Sequence, residues 1–333
     1  MLKLDSPEFS NPYLDCYEAA VLGILKSMGL SDETPLMGTQ AYFVLSEAAL
    51  SISPRHHFIS EEWKRVHGLI VETFPIVSEI DLQDKIKAKL DGGFPVCIPA
   101  DIYYLPHTSH HHRLHQYHFV DIFGYDEDHY YVVCPYYHYT GWMSSDLVHA
   151  SFNSSVIERK SLVCVPELKL QTLSLAVVHN LVEENCHYML GLSIPETLVK
   201  LNPQQLGLVG LRSFIETLQK WTAKSAEELS RKGLDLSVEI ISMGSSRYWF
   251  YKLLQSYEQD LLPLNQAAKV QEQFMNLVRS WRAIGLRLGA EVYVNPGRSL
   301  AQAASRLEQV YLQEYQLFNR LLEVLPGYEG GTL

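Results

Sequence analysis

Hydrophobic and polar positions follow two different periods along the chain, and the period changes near residue 167. Before that point, runs rich in Val, Ile, Tyr and Phe alternate with Gly, Pro, Asp and Ser, which is typical of β-strands separated by turns. The runs are FPVCIPADIYYL (94–105), HFVDIFGY (118–125), HYYVVCPYY (129–137) and VIERKSLVCVPEL (156–168). This part of the chain is therefore predicted to have an α+β fold.

After residue 167 nearly every segment has a helical period, as in residues 211–233 and 299–325. A chain of 333 residues also exceeds the usual size of one domain. We therefore predict two domains, an α+β domain over residues 1–167 and a mostly α-helical domain over residues 168–333.

The first predicted helix begins at Asp15 and ends at Gly29. Asp15 can cap the free backbone N–H groups, and the side chain of Glu18 can reach back to the backbone of Asp15, which forms a variant of the capping box. Apolar side chains follow at helical spacing and form one buried stripe. Cys16 thus occupies the first helical position, where the helix dipole favours a thiolate, although the two neighbouring acids oppose that effect.

The amino-acid composition argues against several classes of function. With 47% hydrophobic and 20% charged residues the chain is typical of a folded globular protein, and its net charge of −11 argues against binding to nucleic acids or anionic lipids. We find neither a run long enough to span a membrane nor a secretory signal. Five scattered cysteines without a C-x-x-C pair argue against a disulfide framework and a zinc ribbon, and predict a cytoplasmic protein.

A cysteine at a helix start suggests thiol chemistry when a histidine lies far downstream on a strand. Papain-like nucleophilic catalysis draws its thiolate and its imidazolium from separate parts of the fold. Cys16 and His118 fit this arrangement. The alternative is that Cys16 is a small core side chain and that His118 is a polar strand residue with its hydrogen bonds satisfied.

The strand that His118 opens is predicted to form a hairpin with the next one. If the acidic residues after Tyr125 form the turn, Tyr125 faces His129. Continuing this register places Cys134 opposite Val120, on the same face as His118 and one diagonal step away.

Several blocks of the sequence resemble the butirosin biosynthesis protein H family. The most specific blocks are DCYEAAVLGILKSMGLSDETPLMG (15–38) and PVCIPADIYYLPHTSHHHRLHQYHFVDIFGYDEDHYYVVCP (95–135). Weaker similarity continues into the helical region, at GLVGLRSFIETLQKW (207–221) and SSRYWFYKLLQSY (245–257).

The resemblance implies a papain-like α+β fold, related to bacteriocin-leader peptidases and used as an acyltransferase. Such proteins take an acyl group from a carrier-protein thioester onto a cysteine and pass it to an amine of a natural-product intermediate, as in antibiotic biosynthesis. Cys16 matches the nucleophile position and His118 the base. The implied partners are an acyl carrier protein and a small-molecule amine acceptor. We expect no cofactor, because phosphopantetheine arrives only as part of the carrier substrate.

One departure from the family pattern concerns the residue that orients the histidine. Relatives typically keep an Asp where this chain has Cys134, and a thiol orients imidazole poorly because it accepts hydrogen bonds weakly. Asp121 is predicted to point to the opposite face from His118. Asp101, which matches the family pattern in its own block, is our preferred third residue. The alternatives are a dyad without a third residue or a site that has lost activity.

Attack on a thioester also requires hydrogen-bond donors for the oxyanion. Papain-like enzymes place an amide side chain shortly before the nucleophile, and Asn11 is the only Asn or Gln in residues 1–15. The backbone N–H of Cys16 would be the second donor. Alternatively, Asn11 simply forms a loop before Pro12.

A histidine-rich loop raises the question of a metal site. Its spacing, H-x-x-H-H-H-x-x-H-x-x-H over residues 107–118, matches no zinc signature, and no acid lies between residues 102 and 120. We therefore expect no metal, and interpret the loop as solvated or as lining a substrate site.

The leading interpretation is thus a cysteine-dependent acyltransferase. A papain-like amide hydrolase or peptidase is the second, and a non-catalytic scaffold that binds a carrier protein or a small ligand is the third. The acyl donor, the acceptor and the oligomeric state have no signature in the sequence.

Overall fold

A computed structural model describes residues 1–6, 8–46, 50–53, 59–193, 205–221 and 225–325. The strands of this part of the chain are β1 (Leu2–Lys3), β2 (Val44–Ser46), β3 (Ser51–Ser53), β4 (Glu72–Pro75), β5 (Val96–Asp101), β6 (Tyr117–Tyr125), β7 (His129–Cys134), β8 (Tyr139–Ser144) and β9 (Ser161–Cys164). The helices are α1 (Cys16–Ser27), α2 (Thr34–Met37), α3 (Ile59–His67), α4 (Glu79–Asp91), α5 (Ser145–Asn153), α6 (Leu175–Leu190), α7 (Gly207–Lys220), α8 (Ala226–Ser256), α9 (Glu258–Leu261), α10 (Leu264–Glu291) and α11 (Pro296–Val324).

The chain divides into two compact units, and each unit is made of two separate segments of the sequence. The first unit joins Met1–Glu33 to Trp63–Gln171, and the second joins Thr34–Glu62 to Thr172–Leu333. The predicted α+β character of the first and helical character of the second are confirmed. The predicted unbroken domain 1–167 needs correction for residues 34–62, because α2 packs on α8 and the β2–β3 hairpin packs on α7 and α8.

An antiparallel sheet forms the centre of the first unit, with the strand order β4-β9-β5-β6-β7-β8. β1 pairs with the far end of β6, where Lys3 lies opposite Gly124. A Cβ at residue 124 would collide with the backbone of Leu2, so glycine is required for this close approach.

Helices cover both faces of the sheet. On one face, α4 and α5 contribute Leu82, Ile86 and Phe152 to a core shared with the strands. On the other face, α1 packs against β6, and Gly23 leaves room for the side chain of Asp121, whose Oδ2 would lie 3.1 Å from a Cβ at that position. His118 and Asp121 thus lie on opposite faces, as the alternation along a strand predicts.

The hairpin of β6 and β7 follows the predicted register only in part. Asp121 pairs with Val133, as expected, but Tyr125 pairs with Tyr130 rather than His129. The register shifts by one residue between Ile122 and Gly124. Because this irregularity lies on the turn side of Ile122, it leaves the pairing near Cys134 unchanged.

In the second unit, α8 packs along α10 and α10 against α11. A buried polar cluster connects the helices: Arg247 Nε donates to Glu314 Oε1 at 2.9 Å, and Trp281 Nε1 donates to the same oxygen at 2.7 Å. Arg247 also donates to the backbone oxygen of Tyr42 at 2.8 Å, which holds the β2 segment on the helices. The charges of Arg247 and Glu314 neutralise each other, which is needed because an unpaired charge is costly in the protein interior.

The helical period over residues 211–233 corresponds to parts of two helices in the structure. α7 ends at Lys220, and α8 begins after Ser225, whose side chain accepts a hydrogen bond from the backbone N–H of Glu228 as an N-cap. Residues 222–224 lie outside the described part of the chain. Among the described helices, none combines the length and apolarity that a membrane crossing requires.

Candidate active site

Cys16 is the first residue of α1, as predicted, because Asp15 begins that helix with a capping box. The carboxylate of Asp15 accepts a hydrogen bond from the N–H of Glu18 at 2.8 Å, and the carboxylate of Glu18 accepts one from the N–H of Asp15 at 3.0 Å. The two reciprocal bonds fix the start of the helix and therefore the position of the Cys16 side chain.

Cys16 is a partly exposed residue, and the helix that it begins packs against β6. The backbone N–H groups of Phe119 and Tyr17 donate hydrogen bonds to the Cys16 sulphur. Phe119 directly follows His118, so the Cys16 sulphur lies at the segment of β6 that holds the predicted base, while α1 itself packs on the face opposite to the His118 side chain. Within the described residues, no hydrogen bond joins Cys16 to His118, and their pairing in catalysis stays a prediction.

His118 is buried and contacts Cys134. Its Nε2 lies 3.1 Å from the Cys134 sulphur, which confirms that position 134, rather than Asp121, faces the imidazole. If the sulphur accepts the proton of Nε2, Nδ1 keeps its lone pair and is the nitrogen that could accept a proton from Cys16. Cys134 thus lies where a residue that orients the imidazole is expected, but its thiol is a weak and uncharged hydrogen-bond acceptor.

Burial sets the protonation states of both groups. Burial, with the charge of Asp15 adding to it, raises the pKa of the Cys16 thiol well above its ordinary range. Burial also lowers the pKa of His118 to about 3, and His107 adds to that shift. The resting state is therefore a neutral thiol and a neutral imidazole. Desolvation thus acts in the same direction as Asp15, against the thiolate that the helix dipole favours.

We expect the His118 imidazole to remain neutral from pH 8 down to pH 5. Because burial lowers its pKa to about 3, the ring takes up a proton only in strong acid. Nuclear magnetic resonance of ¹⁵N-histidine-labelled protein, assigned with a His118→Gln variant, measures this titration directly. A midpoint near the ordinary histidine value would show that the imidazolium is stabilised in the folded protein.

Asp101 is not the residue that orients His118. Its carboxylate lies 2.7 Å from Nδ1 of His115 and accepts a hydrogen bond from the Ser154 hydroxyl at 2.6 Å. It also accepts the backbone N–H of Gln116 at 3.1 Å. The prediction is corrected because the loop before β6 places His115, rather than His118, against this carboxylate.

Asn11 forms a turn ahead of α1. Its Oδ1 accepts the backbone N–H of Tyr13 at 3.0 Å, which is the loop-forming role that was the alternative to an oxyanion donor. This bond uses the amide oxygen and not the amide nitrogen. The role of Asn11 as an oxyanion donor therefore stays a prediction.

The histidine-rich loop stacks on tyrosines. His107 stacks on Tyr139 with ring centroids 4.1 Å apart, and His115 stacks on Tyr103 at 4.0 Å. Within the described ranges, no group of three or more His, Cys, Asp or Glu side chains is placed to hold a metal ion. The Asp101–His115 pair was missed in the sequence, where only the proximity of Asp101 to a histidine-rich segment could have suggested it.

A family model described as Butirosin biosynthesis protein H, N-terminal, matches residues 16–135. The matched region begins at Cys16 and includes both His118 and Cys134. No curated protein matches the chain.

Proposed function

Through residues 16–135 the chain belongs to the butirosin biosynthesis protein H family, and from this premise we propose that it is a thiol acyltransferase of natural-product biosynthesis with a papain-like catalytic arrangement. The donor is an acyl group on the phosphopantetheine thiol of a carrier protein, and the acceptor is a small-molecule amine. Cys16 is the nucleophile and His118 the base.

The observation that carries this proposal is the placement of Cys16 at the head of α1, beside the strand that holds His118. The Phe119 N–H fixes the sulphur next to this strand, while Cys134 contacts Nε2 of His118 at 3.1 Å. Thiol catalysis needs a thiol and an imidazole. Here the thiol lies on a helix, the imidazole lies on a strand, and a side chain of the next strand contacts the imidazole.

In the first step the Cys16 sulphur attacks the thioester carbonyl. The proton of Cys16 passes to Nδ1 of His118, a new C–S bond forms, and the bond to the carrier sulphur breaks. The carrier leaves as a thiol and takes the proton from His118. The Phe119 and Tyr17 N–H groups stabilise negative charge on the Cys16 sulphur, since they donate to it.

In the second step the amine attacks the acyl group on Cys16. The C–N bond forms, the C–S bond breaks, and the amine proton returns to the Cys16 sulphur through a base. The carbonyl oxygen carries negative charge in both steps, and the N–H of Cys16 is one donor for it, because the first N–H groups of a helix have no partner within the helix. The amide nitrogen of Asn11 is the second.

Replacing Cys134 by Asp tests how the imidazole is oriented. A carboxylate at 3 Å from Nε2 stabilises the imidazolium, so we expect the His118 pKa to rise and acylation to proceed at the parental rate or up to about tenfold faster. The measurement is the acylation rate together with the histidine titration. Cys134→Ala is the matched control, for which we expect a slower rate because the ring loses its partner.

Loss of folding in Cys134→Asp, with no change in the His118 titration of the remaining folded protein, would show that the side chain at residue 134 packs in the apolar core instead of serving the ring. Cys134 is a member of that core cluster, so this outcome has a physical basis.

Product analysis distinguishes the transferase from the alternatives. With an acyl-pantetheine thioester and a primary amine, a transferase forms the amide and little free acid, since it holds the acyl group away from water. A hydrolase or peptidase forms the acid at the same rate with or without the amine. The neutral Cys134 in place of a carboxylate favours a third candidate, a non-catalytic binding protein, which would release neither product faster than buffer does.

A further inference from the structure

Asp101 and His115 form a second carboxylate–histidine pair in the first unit. The carboxylate is fully buried, whereas the His115 side chain is 51% exposed, and 2.7 Å separates Oδ2 from Nδ1. A buried acid that holds an exposed imidazole by one nitrogen is the arrangement that orients a general base towards a substrate.

The carboxylate of Asp101 is held rigidly by other groups. It accepts hydrogen bonds from the Ser154 hydroxyl at 2.6 Å and from the backbone N–H groups of Tyr103 and Gln116 at 3.0 and 3.1 Å. Burial opposes ionisation, but the hydrogen bonds from His115, Ser154 and the backbone prevail and lower the pKa of Asp101. An ionised carboxylate only accepts hydrogen bonds, so Nδ1 of His115 must carry the proton.

The other nitrogen of His115 is therefore available as an acceptor. With the proton on Nδ1, the neutral ring has its lone pair on Nε2, and no described residue hydrogen-bonds to that atom. The ring is also immobilised, since it stacks on Tyr103 with an interplanar angle of 12°. The lone pair on Nε2 of His115 is thus held in one orientation, and it makes no hydrogen bond within the described residues that would stabilise the fold.

The pair lies at the end of the sheet where Cys16 is found. Asp101 ends β5 and pairs with Tyr117 at the start of β6. The Tyr117 ring packs edge-on against Phe119 with centroids 5.1 Å apart, and Phe119 packs in the same way against Tyr17, the residue after Cys16, at 4.9 Å. One cross-strand step thus separates the anchor of His115 from the aromatic side chains beside Cys16.

The two histidines at this end of the sheet differ in what they can do. His118 is buried and contacts a thiol, while His115 is exposed and contacts a carboxylate. A partner carboxylate stabilises the imidazolium that forms when the ring takes a proton, and a thiol does so only weakly. His118 is therefore suited to accept the proton of Cys16. His115 is suited to accept a proton from a group that arrives from solvent.

We propose that His115, held by Asp101, is the general base that accepts the proton of the acceptor amine in the second step. This inference rests on the proposed acyltransferase function. The amine nitrogen attacks the carbonyl carbon of acyl-Cys16, the C–N bond forms and the C–S bond breaks. The N–H proton moves to Nε2 of His115 and then returns, through solvent, to the Cys16 thiolate. The acceptor class is an uncharged primary or secondary amine at the moment of attack.

The test separates the two half-reactions in the full-length chain. Cys16 is acylated with acetyl-pantetheine, the donor is removed by gel filtration, and n-butylamine is added while acetyl-enzyme and N-butylacetamide are followed by mass spectrometry. We compare the parental chain with His115→Gln and with the matched control His110→Gln from the same loop. His115 is exposed, and the amide nitrogen of Gln can still donate to the buried Asp101 carboxylate, so we expect the fold to be retained, which the melting temperature checks.

We expect His115→Gln to acylate at the parental rate and to form the amide about a hundredfold more slowly, the usual contribution of a general base. His110→Gln behaves like the parental chain. Added imidazole restores amide formation in His115→Ala, which a purely structural role of the ring would not allow.

Amide formation by His115→Gln within threefold of the parental rate overturns this inference alone. An equal loss in both half-reactions also overturns it, because the ring would then support the fold and not the acceptor. If the parental chain forms no acetyl-Cys16, the proposed acyltransferase function fails, and the role of His115 fails with it.

Discussion

Replacing Cys16 by Ala will abolish amide formation from an acyl thioester and leave the fold intact. Without the sulphur no acyl-enzyme forms, and uncatalysed aminolysis at the site remains, so we expect a loss of about 10³-fold or more. The fold survives because Cys16 is partly exposed and the capping bonds of α1 come from Asp15 and Glu18. Amide formation with saturating donor and amine measures the loss.

Cys164→Ala is the matched control for this variant. Cys164 is a buried cysteine of β9 in the same unit, and its sulphur lies 3.8 Å from a carboxylate oxygen of Glu72. We expect the control to keep parental activity for each folded molecule, with the folded fraction measured by circular dichroism. Parental turnover by Cys16→Ala would exclude thiol catalysis at Cys16.

Asp121→Asn should raise the free energy of unfolding at neutral pH. The carboxylate is fully buried, and neither of its oxygens has a hydrogen-bond partner of good geometry within the described residues. Burial raises its pKa well above the ordinary value, although the Cys97 thiol opposes this shift. The folded state therefore keeps a proton that the unfolded state releases, and stability falls as the pH rises above the ordinary carboxyl pKa.

Asparagine does not titrate, so the stability gained by the variant is larger at pH 7 than at pH 5, and the increase is at most about 1.4 kcal/mol for each pH unit. Urea unfolding at both pH values measures the gain. Asp128→Asn, in the exposed turn of the same hairpin, is the control and should show a smaller change. A variant that is less stable than the parental chain at pH 7 would mean that Asp121 is ionised and paired.

Local features of the fold could be predicted from the sequence because their causes are local. Asp15 and Glu18 lie three residues apart, so the capping box and the position of Cys16 follow from helix geometry alone. The register of the β6–β7 hairpin likewise placed Cys134 beside His118, because it follows from the short turn between the two strands. The register shift near Gly124 was not predictable, because at this position β6 also pairs with β1, which is more than 100 residues away in the sequence.

Other features depend on contacts between distant segments. The partner of Asp101 is set by the loop before β6 and by Ser154, which are distant from it in sequence. The grouping of residues 34–62 with the helices likewise comes from packing on α8. The protonation state of Cys16 depends on burial, which the helix position by itself does not reveal.

Peptide mapping by mass spectrometry, after the chain is mixed with an acyl-pantetheine thioester and quenched in acid, tests the thiol mechanism most directly. We predict one acyl group for each chain, located on Cys16, and slower acylation in His118→Ala because the base is lost. Absence of any acyl group, or an acyl group on Cys97, Cys134, Cys164 or Cys186 instead, would contradict the assignment of Cys16 as the nucleophile.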